Sequence, residues 1–140
     1  GVSWLVNLKR RTARTPSKAQ ATWSLAYLEV AAKEARGILN QGQYEHVVRQ
    51  FDELARHENP RLSSTLDLKA IEAFHELRDK GGILGRINLR VFYVAFDEKN
   101  MICVLGCYKK EDDGQVPSYI KTRIRNRLRL ARSMLGLEKG

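Results

Sequence analysis

Apolar positions recur along the chain with changing rhythms, and each change of rhythm marks an element. After Thr15-Pro16, which supply an N-cap and a first-turn proline, apolar residues fall at 25, 28, 32, 35 and 39, the spacing of an amphipathic helix. Trp23, Ala26, Tyr27, Val30 and Ala31 widen the stripe until only Glu29, Lys33 and Arg36 stay polar, so a largely buried helix is expected from about 16 to 39. Asn40-Gln41-Gly42 breaks it. Tyr44, Val47, Val48, Phe51, Leu54 and Ala55 then repeat at i, i+3, i+4 and i+7, which predicts a second helix over 43–57. Asn59-Pro60 closes that helix, because the residue before a proline is pushed out of the α region. The two helices are expected to form an antiparallel hairpin over 16–57. Ahead of them, Trp4, Val6 and Leu8 alternate with Leu5 and Asn7, so residues 1–14 read as a basic arm or a short edge strand.

The stretch from Leu66 to Lys80 carries two readings. Leu, Lys, Ala, Glu and Arg favour a helix, and Leu68, Ile71, Phe74 and Leu77 share a helical face. Beyond it, however, Ile87–Phe96 and Met101–Tyr108 are runs of β-branched and aromatic residues joined by the polar turn Asp97–Asn100, which predicts a β-hairpin. Two strands alone are marginal in water, so a third is needed, and Phe74–Asp79, followed by Gly81-Gly82, is its candidate. The expected sheet spans 74–110. Pro117 then opens a last helix to about Leu135, with an apolar stripe at Ile120, Ile124, Leu128, Ala131 and Leu135 and with Gly136 as its C-cap. The pattern as a whole is α+β: two N-terminal helices packed on a small antiparallel sheet, followed by a basic C-terminal helix. One domain over 1–140 is expected, since no repeat, low-complexity tract or Pro/Gly/Ser-rich linker divides the chain.

Composition fits a soluble globular chain, with 43% hydrophobic and 29% charged residues. Charge adds more. The formal net charge is +9, distributed as +5 over residues 1–18, −3 over 19–76 and +7 over 77–140. A basic arm and a basic C-terminal half disfavour cationic partners and favour nucleic acid or an acidic protein. No apolar run reaches the roughly 18 residues that span a bilayer, and the opening GVSWLVNLKRR has too short an apolar stretch for a signal peptide. The stripe of the last helix also lacks the Trp or Phe anchors of a helix lying on a membrane.

Cys103 and Cys107 would lie on one face of their strand about 13 Å apart, too far for a disulfide. Reduced, buried thiols fit a cytoplasmic protein. His46, His57 and His75 are too scattered to complete a metal site with them, so neither a metal nor another cofactor is expected.

A set of local motifs occurs in one order: Phe74-His-Glu-Leu-Arg78, Leu89-Arg-Val-Phe-Tyr93, Asp97 in the turn, Tyr108-Lys-Lys110, and Pro117 opening the last helix. This progression over residues 66–132 resembles the RelE/HigB superfamily of type II toxin–antitoxin toxins, most of all its phage-related HigB-like branch. The resemblance implies a RelE-like fold whose sheet binds messenger RNA, commonly on the ribosome, and cleaves it as a metal-independent endoribonuclease. It also implies a cognate antitoxin that masks the cationic face.

For a ribose 2′-OH to attack the adjacent phosphate, a proton must leave it, the phosphorane charge must be stabilised and the departing 5′-oxygen must be protonated. Arg and Lys supply the charge term, Arg bidentately. By resemblance, Arg90 falls on the motif arginine that helps stabilise the transition state, and Lys109 and Lys110 fall on the basic pair after the last strand. Tyr119 lies near a functional tyrosine of some members, with the insertion Glu111-Asp112-Asp113 intervening. Period 2 places Arg86, Asn88 and Arg90 on one strand face, and Arg78 shares the parity of Glu76 and Phe74. Arg78, Arg86, Arg90 and Lys110 are therefore expected to converge. Phe74 and Glu76 stand where RelE-type members have catalytic lysines, which leaves the general base open between His75 and Glu76. Arg123, Arg125, Arg127 and Arg129 on the last helix are candidate phosphate contacts.

Two other functions stay open at this point. A ParE-like toxin of the same fold would bind gyrase without cutting RNA, in keeping with the missing lysines. A non-catalytic RNA- or DNA-binding protein would use the same charge.

Overall fold

The computed structural model describes residues 8–11, 22–112 and 114–137. Nine strands and α-helices among these residues follow in chain order: β1 (Leu8–Arg11), β2 (Ser24–Leu28), α1 (Glu29–Ile38), α2 (Gln41–Leu54), β3 (Asp67–Ala70), β4 (His75–Asp79), β5 (Asn88–Phe96), β6 (Met101–Lys110) and α3 (Ser118–Met134). The strands form one sheet in the order β1-β2-β6-β5-β4-β3, antiparallel except for the parallel β2–β6 pair. The α+β class is as expected, and so are the β5–β6 hairpin and a C-terminal helix with Pro117 at its N-cap.

The first helix differs. It begins at Glu29 rather than near residue 16, because Ser24–Leu28 is a strand. A central strand buried on both faces is a continuous apolar run, and Leu25, Ala26 and Leu28 are almost completely enclosed. The same run scans as helix, and what decides for strand is the edge of β6, whose residues Met101–Val104 pair with Ser24–Tyr27. The Thr15-Pro16 cap and the alternation at Trp4–Asn7 lie outside the described residues; the strand found nearby is Leu8–Arg11. Asn40 begins α2 rather than only ending α1. Its side chain accepts from the Gln43 backbone N–H at 2.8 Å, while the Gln43 side chain accepts from the Asn40 N–H at 2.9 Å.

Leu66–Lys80 contains two strands and no helix. Asp67–Ala70 pairs antiparallel with His75–Asp79, and Glu72 and Ala73 fall in the turn between them. Helix propensity is overridden because β5 needs a partner on its second edge, and β4 supplies it from Leu89 to Tyr93. Gly81 and Gly82, with φ of 78° and 53°, make the turn that returns the chain toward β5, a conformation most side chains would strain.

Two apolar clusters sit on opposite sheet faces. One gathers Leu89, Val91, Tyr93 and Ala95 of β5 with Ala35 of α1 and Val47, Phe51 and Leu54 of α2. The other gathers Phe92, Val94 and Phe96 of β5 with Ile120, Ile124, Leu128 and Ala131 of α3. Alternate residues of one strand thus feed two layers of helices. A bulge, with Leu105 unpaired between Gly106↔Phe92 and Val104↔Tyr93, switches the parity of β6. Cys103 therefore faces the α3 layer and Cys107 the α1/α2 layer, on opposite faces rather than the same one; both are free. Among the described residues, no helix is long and apolar enough to cross a membrane.

Candidate nucleic-acid site

Toward the start of β5, the sheet face under α3 turns from apolar to charged. Arg90 of β5 lies directly opposite Arg78 of β4 on one side and Tyr108 of β6 on the other. Glu76 and Asn88 flank that row, and Lys110 stands opposite Asn88. The period-2 reading therefore brings Arg78, Arg90 and Lys110 to one face.

Arg90 is buried. Its Nε lies 3.4 Å from Glu76 Oε1, and one terminal nitrogen donates to Asn88 Oδ1 and, at 3.2 Å, to the Leu89 carbonyl. Arg78 donates to Asp67 Oδ1 at 2.8 Å and approaches Glu76 Oε1 at 4.0 Å through Nε. Glu76, only 3% exposed, sits between the two guanidinium groups with its Oε2 buried and without a hydrogen-bond partner. Burial raises the Glu76 carboxyl above its ordinary value, and it outweighs the opposing pull of Arg90, Arg78, Lys69 and Lys110. Lys69 enters because β3 sets it opposite Glu76.

Lys110 is also buried. Its ammonium donates to Asp112 Oδ1 at 3.3 Å and to the Gln115 carbonyl at 3.1 Å, which ties the loop before α3 to the end of β6. Asn88 adds a second tie by donating to the Asp112 carbonyl at 3.2 Å. That loop delivers Tyr119 in the first turn of α3, where the ring is 60% exposed and Arg123 stacks 5.8 Å from its centroid. Burial, followed by a hydrogen bond to Tyr119, raises the Tyr108 phenol above its ordinary value. Tyr108 itself stands directly opposite Arg90 across the β5–β6 pair.

Several sequence-selected residues lie elsewhere. Lys109 pairs with Leu89 and points to the opposite face from Lys110. His75 also faces the other side, against Tyr93 with ring centroids 5.9 Å apart. Burial, helped by Arg61, holds its imidazole below the usual value. Neither can reach Arg90 through the sheet. Arg86 is exposed ahead of β5.

The helix arginines divide. Arg125 makes a two-point pair with Glu72 at 3.0 and 2.9 Å, both exposed. Arg123 and Arg129 are exposed, Arg123 lying 3.8 Å from Glu34 and Arg129 contacting Asn126 at 3.4 Å. Arg127 is committed to the fold: it pairs with Glu34 at 2.8 and 2.9 Å and donates to the Leu105 carbonyl. Asp67 and Lys69 were missed as members of this site. The alternation Asp67-Leu68-Lys69-Ala70 was the available signal, hidden by helix-favouring composition. No cluster of three His, Cys, Asp or Glu suited to a metal occurs among the described residues.

No protein-family model and no curated protein matches the chain. Among solved structures, the chain is similar to a mutant of the E. coli toxin RelE in the free state, with a TM-score of 0.55 and 22% identity, covering 78% of this chain and 99% of that one. The likeness establishes a RelE-like fold.

Proposed function

We propose that this chain is the toxin of a type II toxin–antitoxin pair: a metal-independent endoribonuclease of the HigB-like branch that cuts messenger RNA on the ribosome in the cytoplasm and is silenced by a cognate antitoxin. The observation that carries this reading is the placement of Arg78 and Arg90 as cross-strand neighbours beside Tyr108 and Tyr119, on a RelE-like sheet. Two guanidinium groups side by side match the charge of a phosphorane. As the 2′-hydroxyl gives up its proton to solvent, its oxygen bonds to phosphorus and the P–O5′ bond breaks, and the negative charge that grows on the non-bridging oxygens is stabilised by Arg90 and Arg78. The products are a 2′,3′-cyclic phosphate and a 5′-hydroxyl. The Tyr108 phenol, held above its ordinary value by burial and by its hydrogen bond with Tyr119, is suited to donate toward the leaving oxygen. Exposed Arg86, Arg123 and Arg129 hold the flanking strand.

The test is cleavage of message on programmed ribosomes by the wild type and by Arg90→Ala. Fragments from the wild type alone are expected; equal cutting by both removes Arg90 from the site. One observation favours a second reading. Phe74, at a position of family lysines, is locked in the core edge-to-face with Phe92, which suits a non-nuclease toxin acting on gyrase. Gyrase inhibition without RNA cleavage would decide for it.

A further inference from the structure

The buried carboxylate of Glu76 is the strangest member of the cluster. A surface meant only to attract RNA gains nothing from it, since it cancels one positive charge. Around it stand four cations, Arg78, Arg90, Lys69 and Lys110, of which Arg78 is also paired with Asp67 and Lys110 with Asp112. Three carboxylates against four cations leave a surplus of one. The carboxylate is also costly to bury, and Oε2 has no hydrogen-bond partner to offset that cost. What Glu76 does offer is geometry. Its Oε1 lies 3.4 Å from Arg90 Nε and 4.0 Å from Arg78 Nε, so a single oxygen faces the same edge of both guanidinium groups.

We propose that Glu76 is the positioning residue of this site: its carboxylate holds Arg90 and Arg78 by their Nε edges, side by side, so that both address one phosphodiester. The proposal rests on the nuclease reading above and adds a residue to it. Glu76 is too enclosed to touch the substrate, so its action runs through the arginines. Asn88 completes the hold on Arg90 by accepting from a terminal nitrogen. Asp67 completes the hold on Arg78. Arg90 is thus held from two sides, whereas Arg78, hydrogen-bonded to Asp67, keeps a buried Nε without a hydrogen-bond partner 4.0 Å from the same Glu76 oxygen, an electrostatic contact only; charge fixed in place avoids reorganising as the transition state forms. The charged groups acting on Glu76 come from every neighbouring strand: Lys69 from β3, Arg78 from its own strand, Arg90 from β5 and Lys110 from β6.

The two jobs of the cluster then separate under Glu76→Gln. Removing one negative charge leaves affinity for a single-stranded RNA oligonucleotide equal or tighter, while loss of the fixed arginine pair slows single-turnover cleavage on programmed ribosomes by about 10- to 100-fold. Cutting at the wild-type rate overturns the proposal, as does a loss of RNA binding in step with the loss of cutting. A second measurement uses the wild-type protein alone. The side-chain Nε–H resonances of Arg90 and Arg78 should shift together on acidification as Glu76 takes up its proton, and Glu76→Gln should abolish the joint shift. Independent behaviour of the two resonances overturns the proposal even where the variant fails to fold. If the wild type cuts no RNA, the nuclease reading falls, and the resonances alone decide whether Glu76 positions the pair.

Discussion

Arg127 separates a phosphate contact from a structural strut. Beyond Val104, β6 loses its β2 partner, and the open edge is closed by side chains instead. Glu34 Oε1 accepts from the Cys107 backbone N–H at 3.1 Å, and Arg127 donates to the Leu105 carbonyl at 3.0 Å while gripping Glu34 at two points. The side chains of Arg127 and Glu34 are 12% and 22% exposed, between a surface pair, worth about 0–1 kcal/mol, and a fully buried one, whose breaking costs about 3–5. Arg123, at 3.8 Å from Glu34, can take up part of the released charge. Arg127→Ala is therefore expected to cost about 2–3 kcal/mol, or roughly 8–12 °C in Tm for a chain of this size. Urea denaturation measures the loss, and a double-mutant cycle with Glu34→Gln isolates the pair. Arg129→Ala, at an exposed position, is the control: it should leave stability within error and reduce the salt slope of RNA binding by about one. Stability unchanged in Arg127→Ala, together with a shallower salt slope, would refute the strut and restore the phosphate contact expected from sequence.

Gly106→Ala tests the same seam, since its Cβ would come within 2.7 Å of both Ile124 Cδ1 and Arg127 Nη1 and 3.2 Å of Glu34; overpacking of about 1–3 kcal/mol is expected in urea titrations, and a neutral result would mean that α3 yields. Tyr93→Phe removes a fully buried hydroxyl that donates to the Pro60 carbonyl at 2.8 Å, at a cost of about 1–2 kcal/mol by the same assay. Burial pushes both thiols up to about 12, so the unfolded chain ionises first as pH rises past 9. Stability should fall by about 1.4 kcal/mol per pH unit per thiol until about pH 12, and thiolate absorbance at 240 nm from the folded protein near pH 9 would contradict it.

What could be read from the sequence depended on whether a local period matched the tertiary need. The β5–β6 hairpin, α2 and α3 carry patterns with one reading, and the structure follows them. Ser24–Leu28 carries two, because a strand enclosed on both faces and a buried helix are both unbroken apolar runs. Nothing local in SLAYL reveals that β6 lacks a neighbour over Met101–Val104. Leu66–Lys80 also carries two readings, with propensity set against the open edge of β5: the strand expected over Phe74–Asp79 is there as His75–Asp79, while Asp67–Ala70 was not expected as a strand. The β6 bulge is a subtler case: one extra residue at Leu105 moves Cys103 and Cys107 to opposite faces, and no alternation count over a smooth strand anticipates it.

The site was legible to the extent that parity was applied to every strand. Counting by twos placed Arg78 with Arg90 and sets Lys110 apart from Lys109 and Glu76 apart from His75, as the register has them. Charge was harder to read, because a sum over residues does not say which charges are already paired. The segment from 77 to 140 carries +7, yet Arg78, Lys110, Arg125, Arg127 and Arg132 each sit within 4.0 Å of a carboxylate. Their partners Asp67, Glu72 and Glu34 come from the acidic middle, and Asp112 and Glu98 from the same half. The acidic middle thus acts as the internal counterion of the basic half. Any attraction for RNA then rests on cations left exposed, Arg86, Arg123 and Arg129 among them, rather than on Arg90, which is buried, or Arg78, which is half-buried.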